Sequence, residues 1–260
     1  MKSREMAGRV AAFFDLDGTL IARPSLERRF FAELRQGRAI PMRNYFFWLA
    51  RAMWLAPRGI GMVLYANKMY LRRVCAGGDR SRGERGQPEM AVPRFLPEGV
   101  NQVAWHARQG HAIVLVSGTL APLAQEMALA LVARLAVRGI AACVAVCATR
   151  LEERDGRWTG RIVGDAMFGE AKARAVRKIA PEKGFELAQC YAYGDSADDR
   201  WILETVGRPV AVNPSRRLER LACRRSWAVL TWAKGKKPKQ SSSSTQGDQG
   251  NAEETWEHVG

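Results

Sequence analysis

An apolar run from Val10 to Phe14 leads straight into Asp15-Leu16-Asp17-Gly18-Thr19-Leu20, and no other stretch limits the fold so tightly. The run is too short for a helix and is bounded by turn-forming residues, so it reads as a buried strand. Two carboxylates follow it, one residue apart. Side chains alternate along a strand, so Asp15 and Asp17 project the same way if extended geometry persists through the turn. Ligands of open α/β sheets bind in the crevice beyond the strands' C-terminal ends. Two acids there repel unless a cation or a shared proton intervenes, and a divalent metal is the simplest relief. A plain Asp-Gly turn is the bland alternative. A calcium loop is excluded, because that motif needs glycine sixth and here it stands fourth.

The 260 residues suffice for one large domain or two smaller ones. Apolar residues make up 47% and charged residues 26%, which places the chain among globular proteins. The first strand is expected within ten residues, so no secretory signal is expected. The aromatic-aliphatic run from Tyr45 to Ala56 is interrupted by Arg51 and is too short to span a bilayer. Cys75, Cys143, Cys147, Cys190 and Cys223 are scattered in mostly apolar contexts, which favours buried free thiols over zinc and points to a reducing, cytoplasmic setting. The net charge of +15 is uneven: residues 21–110 hold 16 Lys/Arg against 6 Asp/Glu. That excess suits an anionic substrate or surface, although solvated arginine alone would also produce it.

Beyond the first strand, three helical segments are expected, capped or opened by Ser25, Pro41 and Ile60, with the third running to Val74. No strand pattern separates them, so a wholly helical insert is expected. Its Trp, Phe and Met stripes have the helical spacing that usually marks burial. Residues 76–93 read as a Gly/Arg-rich loop. A helix from Glu98 to Gln109 follows, then a buried strand from Ala112 to Val116 that ends in a Ser117-Gly118-Thr119 turn, then a helix from Pro122 to Val137. Such a turn before a helix N-terminus can hold an anion, or can be an ordinary cap. Asp155-Gly156 predicts a hairpin within 143–163. A helix from Glu170 to Ile179 carries Lys172. Strands at Gln189–Tyr193 and Pro209–Val212 complete the core, and the first of these ends in Gly194-Asp195-Ser196-Ala197-Asp198-Asp199. The expected class is α/β, a Rossmann-like parallel sheet core (1–20 and 96–233) with an all-helical cap (21–95) inserted after the first strand. Residues 234–260 read as a disordered polar tail.

The strand ends thus offer Asp15 and Asp17, Ser117 and Thr119, and Asp195 and Asp199, with Lys172 at a helix start. A lone lysine is usually a solvated charge; in this company it can neutralise a phosphate or a carboxylate. Mg²⁺ takes hard oxygen ligands, often one or two carboxylates plus substrate phosphate and water. Carboxylate, metal, lysine and hydroxyl together make phosphoryl transfer the natural reaction class.

These motifs, DLDGTL, VSGT, Lys172 and YGDSADD, occur in an order and spacing that resemble a haloacid dehalogenase superfamily phosphatase over about residues 10–232. The closer resemblance is to the phosphoserine-phosphatase-like branch, subfamily IB, with a helical C1 cap. The resemblance implies that Asp15 is the nucleophile and carries an aspartyl-phosphate, while Asp17 is the general acid/base. It further implies that Ser117, Gly118 and Lys172 bind the substrate phosphate. Asp15, the Asp17 carbonyl and Asp195 would hold Mg²⁺, with Asp199 and Thr19 in support. Phosphoserine-specific members carry an acidic residue shortly after the DxDxT motif, where this chain has Ala22, Arg23 and Pro24; Glu27 comes late. Asp198 also stands where relatives often have Asn. The expected substrate is therefore a small or amphipathic phosphorylated metabolite other than phosphoserine. The rival expectations are a phosphotransferase using the same intermediate and a basic protein that binds a membrane surface. No nucleic-acid motif is present, and an anionic membrane is the expected contact for the basic cap.

Overall fold

The computed structural model describes residues 9–76 and 94–232. The expected tail at 234–260 and most of the loop at 76–93 lie outside the described residues. A seven-stranded sheet has the order β4-β3-β2-β1-β5-β6-β7, with β1 (Ala11–Phe14), β2 (Ala112–Leu120), β3 (Val144–Arg154), β4 (Arg157–Val163), β5 (Tyr191–Gly194), β6 (Arg208–Val212) and β7 (Ala228–Leu230). All pairs are parallel except β3 with β4. The expected α/β class with a largely parallel sheet is therefore the observed one.

β1 is central because its side chains are apolar on both faces: every residue from Ala11 to Phe14 is fully buried. Ala12 and Phe14 join one core cluster with Leu115 and Val103 of α4 (Pro97–Arg108). Ala11 and Phe13 join the opposite cluster with Val116 and with Val176 of α6 (Glu170–Lys183). The chain winds outward from β1 through β2 to β3, then returns to β5 on the other side. The reversal leaves a crevice at the C-terminal ends of β1, β2 and β5, where ligands of such sheets bind.

Among the described residues, three α-helices lie between β1 and α4: α1 (Leu26–Gln36), α2 (Met42–Leu55) and α3 (Ile60–Ala66). Ser25 caps α1, its hydroxyl accepting from the Arg28 N–H. The third segment does not run on to Val74. It stops at Ala66, because the Asn67 side chain donates to the Trp48 carbonyl and the buried Lys68 turns inward to Glu27. Nor is the insert wholly helical: Arg73 and Val74 exchange main-chain hydrogen bonds with Trp158, and Cys75 bridges to Arg157. Those partners sit on the β3–β4 hairpin, whose Asp155-Gly156 turn has φ of 52° and 71°, the paired positive values that suit a two-residue hairpin.

A second correction concerns Ser117-Gly118-Thr119. This triplet is not a turn but a bulged continuation of β2, with a register shift against β3 between Ser117 and Leu120. The Thr149 hydroxyl donates to the Gly118 carbonyl and pins the bulge. The next helix, α5 (Ala121–Ala136), starts at Ala121 without a side-chain cap. Two short elements complete the fold, α7 (Arg200–Leu203) and α8 (Arg216–Arg225). β7 was not expected from sequence. Cys143, Cys147, Cys190 and Cys223 are free thiols, and Cys143 and Cys223 are exposed rather than buried. No helix among the described residues is long and apolar enough to cross a membrane.

Behind β1 sits a polar knot. His106 of α4 is fully buried, with Nε2 2.8 Å from the Tyr193 hydroxyl and Nδ1 2.8 Å from His111. Burial, then the neighbouring His111, pushes His106 down to about 3. The unfolded chain therefore takes up this proton first, near its ordinary value of about 6.5. The stabilising effect of neutral His106 is present above that pH and is lost as pH falls, at up to about 1.4 kcal/mol per unit. Urea titrations of the protein and of His106→Gln from pH 7 to about 4 check this; the variant is expected to lose stability with a shallower slope.

Candidate active site

β1 ends at Phe14, and the backbone turns through Leu16 to Ile21, so extended geometry does not persist to Asp17. Leu20 and Ile21 both return N–H bonds to the Leu16 carbonyl, and Gly18 donates to Ile21. Gly18 has φ +96°, and a Cβ there would stand 2.2 Å from Asp195 Oδ2. Only glycine lets this loop lie against the end of β5.

Asp15 and Asp17 consequently diverge. Asp15 shares its parity with Phe13 and so faces α6. Lys172, in the first turn of α6, extends to it with Nζ 2.5 Å from Asp15 Oδ1. The same ammonium lies 2.6 Å from Asp199 Oδ1. Asp17 turns instead to the start of α1, where its Oδ1 accepts the Leu26 N–H at 2.7 Å. Asp199 Oδ2 accepts from the Ser196 main chain and hydroxyl, which fixes the loop after β5. Gly194 permits that approach, since a Cβ there would fall 2.5 Å from Asp199 Cβ.

Asp15, Asp195 and Asp199 are all buried, and each can offer a carboxylate oxygen within 4.8 Å of the others. Burial pushes Asp15 well up, and Asp199 and Asp195 add to the rise while Lys172 opposes it. Burial and then Asp199 push Asp195 up to about 6 despite Arg23. Burial also raises Asp17 to about 6, against the Leu26 N–H. Asp199 goes the other way: burial opposes its charge, but Lys172 and Ser196 hold it below the usual carboxylate range. Burial likewise opposes the Lys172 charge, yet Asp15 and Asp199 keep it raised and the ammonium protonated. Four carboxylates thus share one buried ammonium and one exposed guanidinium. The Thr19 and Thr119 hydroxyls beside them are buried without a hydrogen-bond partner among the described residues. A deficit of positive charge among hard oxygen donors fits Mg²⁺.

Ser117 lies buried at the end of β2, its hydroxyl accepting the Thr119 N–H at 3.3 Å. Gly118 is covered by the Met167 carbonyl and by the Tyr65 ring of α3. Two residues at the site were given no role there from sequence. Arg23 donates to Asp195 Oδ2 at 2.7 Å, although its side chain is 68% exposed. Tyr65 stacks on Phe168, and burial and then Asp198 raise its hydroxyl above its ordinary value. No motif marks either residue; their only signal is that the helical insert must meet the crevice somewhere.

Residues 12–204 match the family model of haloacid dehalogenase-like hydrolases. A protein of Mycobacterium tuberculosis named as a probable phosphatase is 34% identical over 87% of this chain and 76% of its own. Another from that organism, named phosphoserine phosphatase SerB1, is 30% identical over 84% of this chain and 70% of its own. Among solved structures, a protein of unknown function from Bordetella pertussis Tohama I is 28% identical, with a TM-score of 0.59 over 86% of this chain and 99% of that one. The chain belongs to the haloacid dehalogenase-like hydrolase family, and its relatives place it among that family's phosphatases.

The electrostatic account of the cluster is testable through Lys172. Lys172→Met removes the ammonium that the cluster is built around and leaves Asp15 and Asp199 uncompensated, at a cost of about 3–5 kcal/mol. Denaturant unfolding in the presence of a chelator measures that loss.

Proposed function

We propose that this protein is a Mg²⁺-dependent phosphomonoester hydrolase of the cytoplasm that works through an aspartyl-phosphate on Asp15. The observation that carries the reading is the shared Lys172 contact, 2.5 Å to Asp15 and 2.6 Å to Asp199, beside a third buried carboxylate on Asp195. A binding protein has no need of so much uncompensated charge in one crevice.

In the first step an Asp15 carboxylate oxygen attacks phosphorus, forming an O–P bond as the bond to the ester oxygen breaks. Asp17 gives that leaving oxygen its proton. In the second step water attacks the phosphoryl group and passes its proton to Asp17. Inorganic phosphate leaves and the Asp15 carboxylate is restored. A value of about 6 suits Asp17 to both duties near neutral pH. Ser117, the Gly118 N–H and Lys172 hold the phosphoryl oxygens. Asp15, Asp195 and the Asp17 carbonyl would hold Mg²⁺, which supplies positive charge where the transition state accumulates negative charge. Asp199 acts through Lys172 and through the loop it fixes, and Thr19 braces the turn that carries both acids.

Residues 21–95 serve as the cap of this core. The placement of Tyr65 against Gly118 supports that role, since it brings the insert onto the phosphate side of the crevice. The proposed substrate is a small or amphipathic phosphomonoester other than phosphoserine. Glu27 is the acidic residue available to greet an ammonium group, but it is already tied to Lys68 Nζ at 2.5 and 2.6 Å and to the Tyr70 hydroxyl. Phosphate release from a panel that includes phosphoserine and a lysophosphatidate tests the reading. Turnover is expected to require Mg²⁺, to disappear in Asp15→Asn and to fall about 10²–10⁴-fold in Asp17→Asn. Phosphoserine is expected among the poorest substrates, and a ranking with phosphoserine first overturns the substrate reading.

A further inference from the structure

Helix α2 breaks the rule that apolar side chains at helical spacing turn inward. Asn44 and Leu55 are its buried residues, with Trp48 packed against the core beside them. On the opposite side Met42, Phe46, Leu49 and Met53 form a stripe at spacings of four, three and four residues, and they are 75, 75, 52 and 65% exposed. Ile60, just past the end of the helix, is 73% exposed. Soluble surfaces rarely gather so many large apolar side chains in one line, and such a line marks an interaction site.

The flank of the stripe is cationic. The Arg51 and Arg58 guanidiniums each lie 4.1 Å from the centre of the Trp54 ring, and that of Arg72 lies 4.5 Å from the Phe47 ring. Arg43 is exposed on the first turn of α2. No Asp or Glu occurs anywhere between Glu33 and Asp79, while eight Lys or Arg do. A protein partner covering this face would have to bury the guanidiniums or pair each of them. An anionic bilayer needs no such fit: apolar side chains enter the acyl boundary while arginines remain among the headgroups. The Phe47 ring, with one guanidinium stacked on it, suits that boundary, since it offers one charged face and one apolar face.

From this charge complementarity we infer that α2 docks the protein on an anionic lipid surface, with Met42, Phe46, Leu49 and Met53 inserted and Arg43, Arg51 and Arg58 at headgroup level. The docking is separate from the catalytic reading and is measured without turnover. The full chain is sedimented with phosphatidylcholine vesicles and with equimolar phosphatidylcholine–phosphatidylglycerol vesicles. Binding is expected to the second only and to weaken as salt rises. Phe46→Ser is expected to lower the affinity about tenfold. Arg51→Gln and Arg58→Gln are each expected to lower it about fivefold, the equivalent of about 1 kcal/mol per basic residue near such a surface. All three positions are exposed, so circular dichroism should report unchanged folding. Failure to bind, equal binding to both vesicles, or binding unaltered in the variants overturns the proposal. So does a concentration-dependent dimer that Phe46→Ser dissolves while vesicle binding is absent, because the stripe would then belong to a second copy.

Discussion

The pairing of buried Lys172 with Asp15 and Asp199 is the interaction on which the rest of the crevice depends. An ammonium and a carboxylate taken out of water cost several kcal/mol each unless they meet in good geometry. Here two carboxylates meet one ammonium, and a third, Asp195, stands alongside with an exposed arginine as its partner. The fold therefore holds an incomplete charge set at the end of its central strands. Core packing keeps it in place: β1 is sealed on both faces, α6 is anchored through Val176, and the loop after β5 is fixed by the bonds from Ser196 to Asp199. The hydrophobic core thus offsets the electrostatic cost of gathering these carboxylates.

Backbone geometry sets how closely those charges approach. Gly18 and Gly194 are the points at which one loop presses on another, and a single added carbon at either would collide with Asp195 or Asp199. The turn at Leu16–Ile21 has a second consequence. It splits the two adjacent acids, sending Asp15 to α6 and Asp17 to the N-terminus of α1. Because α1 opens the insert proposed as the cap, the general acid of the proposed reaction is hydrogen-bonded to the first residue of that insert's first helix.

Much of this was legible in the sequence. The parallel sheet followed from short apolar runs ending in Asp-rich or Ser/Gly-rich segments, and the hairpin followed from Asp155-Gly156. Four things were not legible, each for a tertiary reason. The stop of α3 at Ala66 depends on Asn67 and Lys68 finding partners on Trp48 and Glu27, distant in the chain. The bulge at Gly118 depends on pairing with β3, which local pattern does not reveal. The outward stripe of α2 was the least legible, since apolar periodicity is the same whether the helix faces a core or a surface. Arg23 at Asp195 belongs with these: one arginine among many gives no sign of its partner until the turn is built.

The central claim is that Asp15 receives the phosphoryl group. Its most direct test is to quench the enzyme during turnover of its best phosphomonoester and locate the phosphoryl group by peptide mass spectrometry. The account predicts a single acid-quenched phosphoryl group on the peptide that contains Asp15, absent in Asp15→Asn and discharged when turnover resumes. A label on any other residue, or full turnover with no labelled peptide, would contradict it.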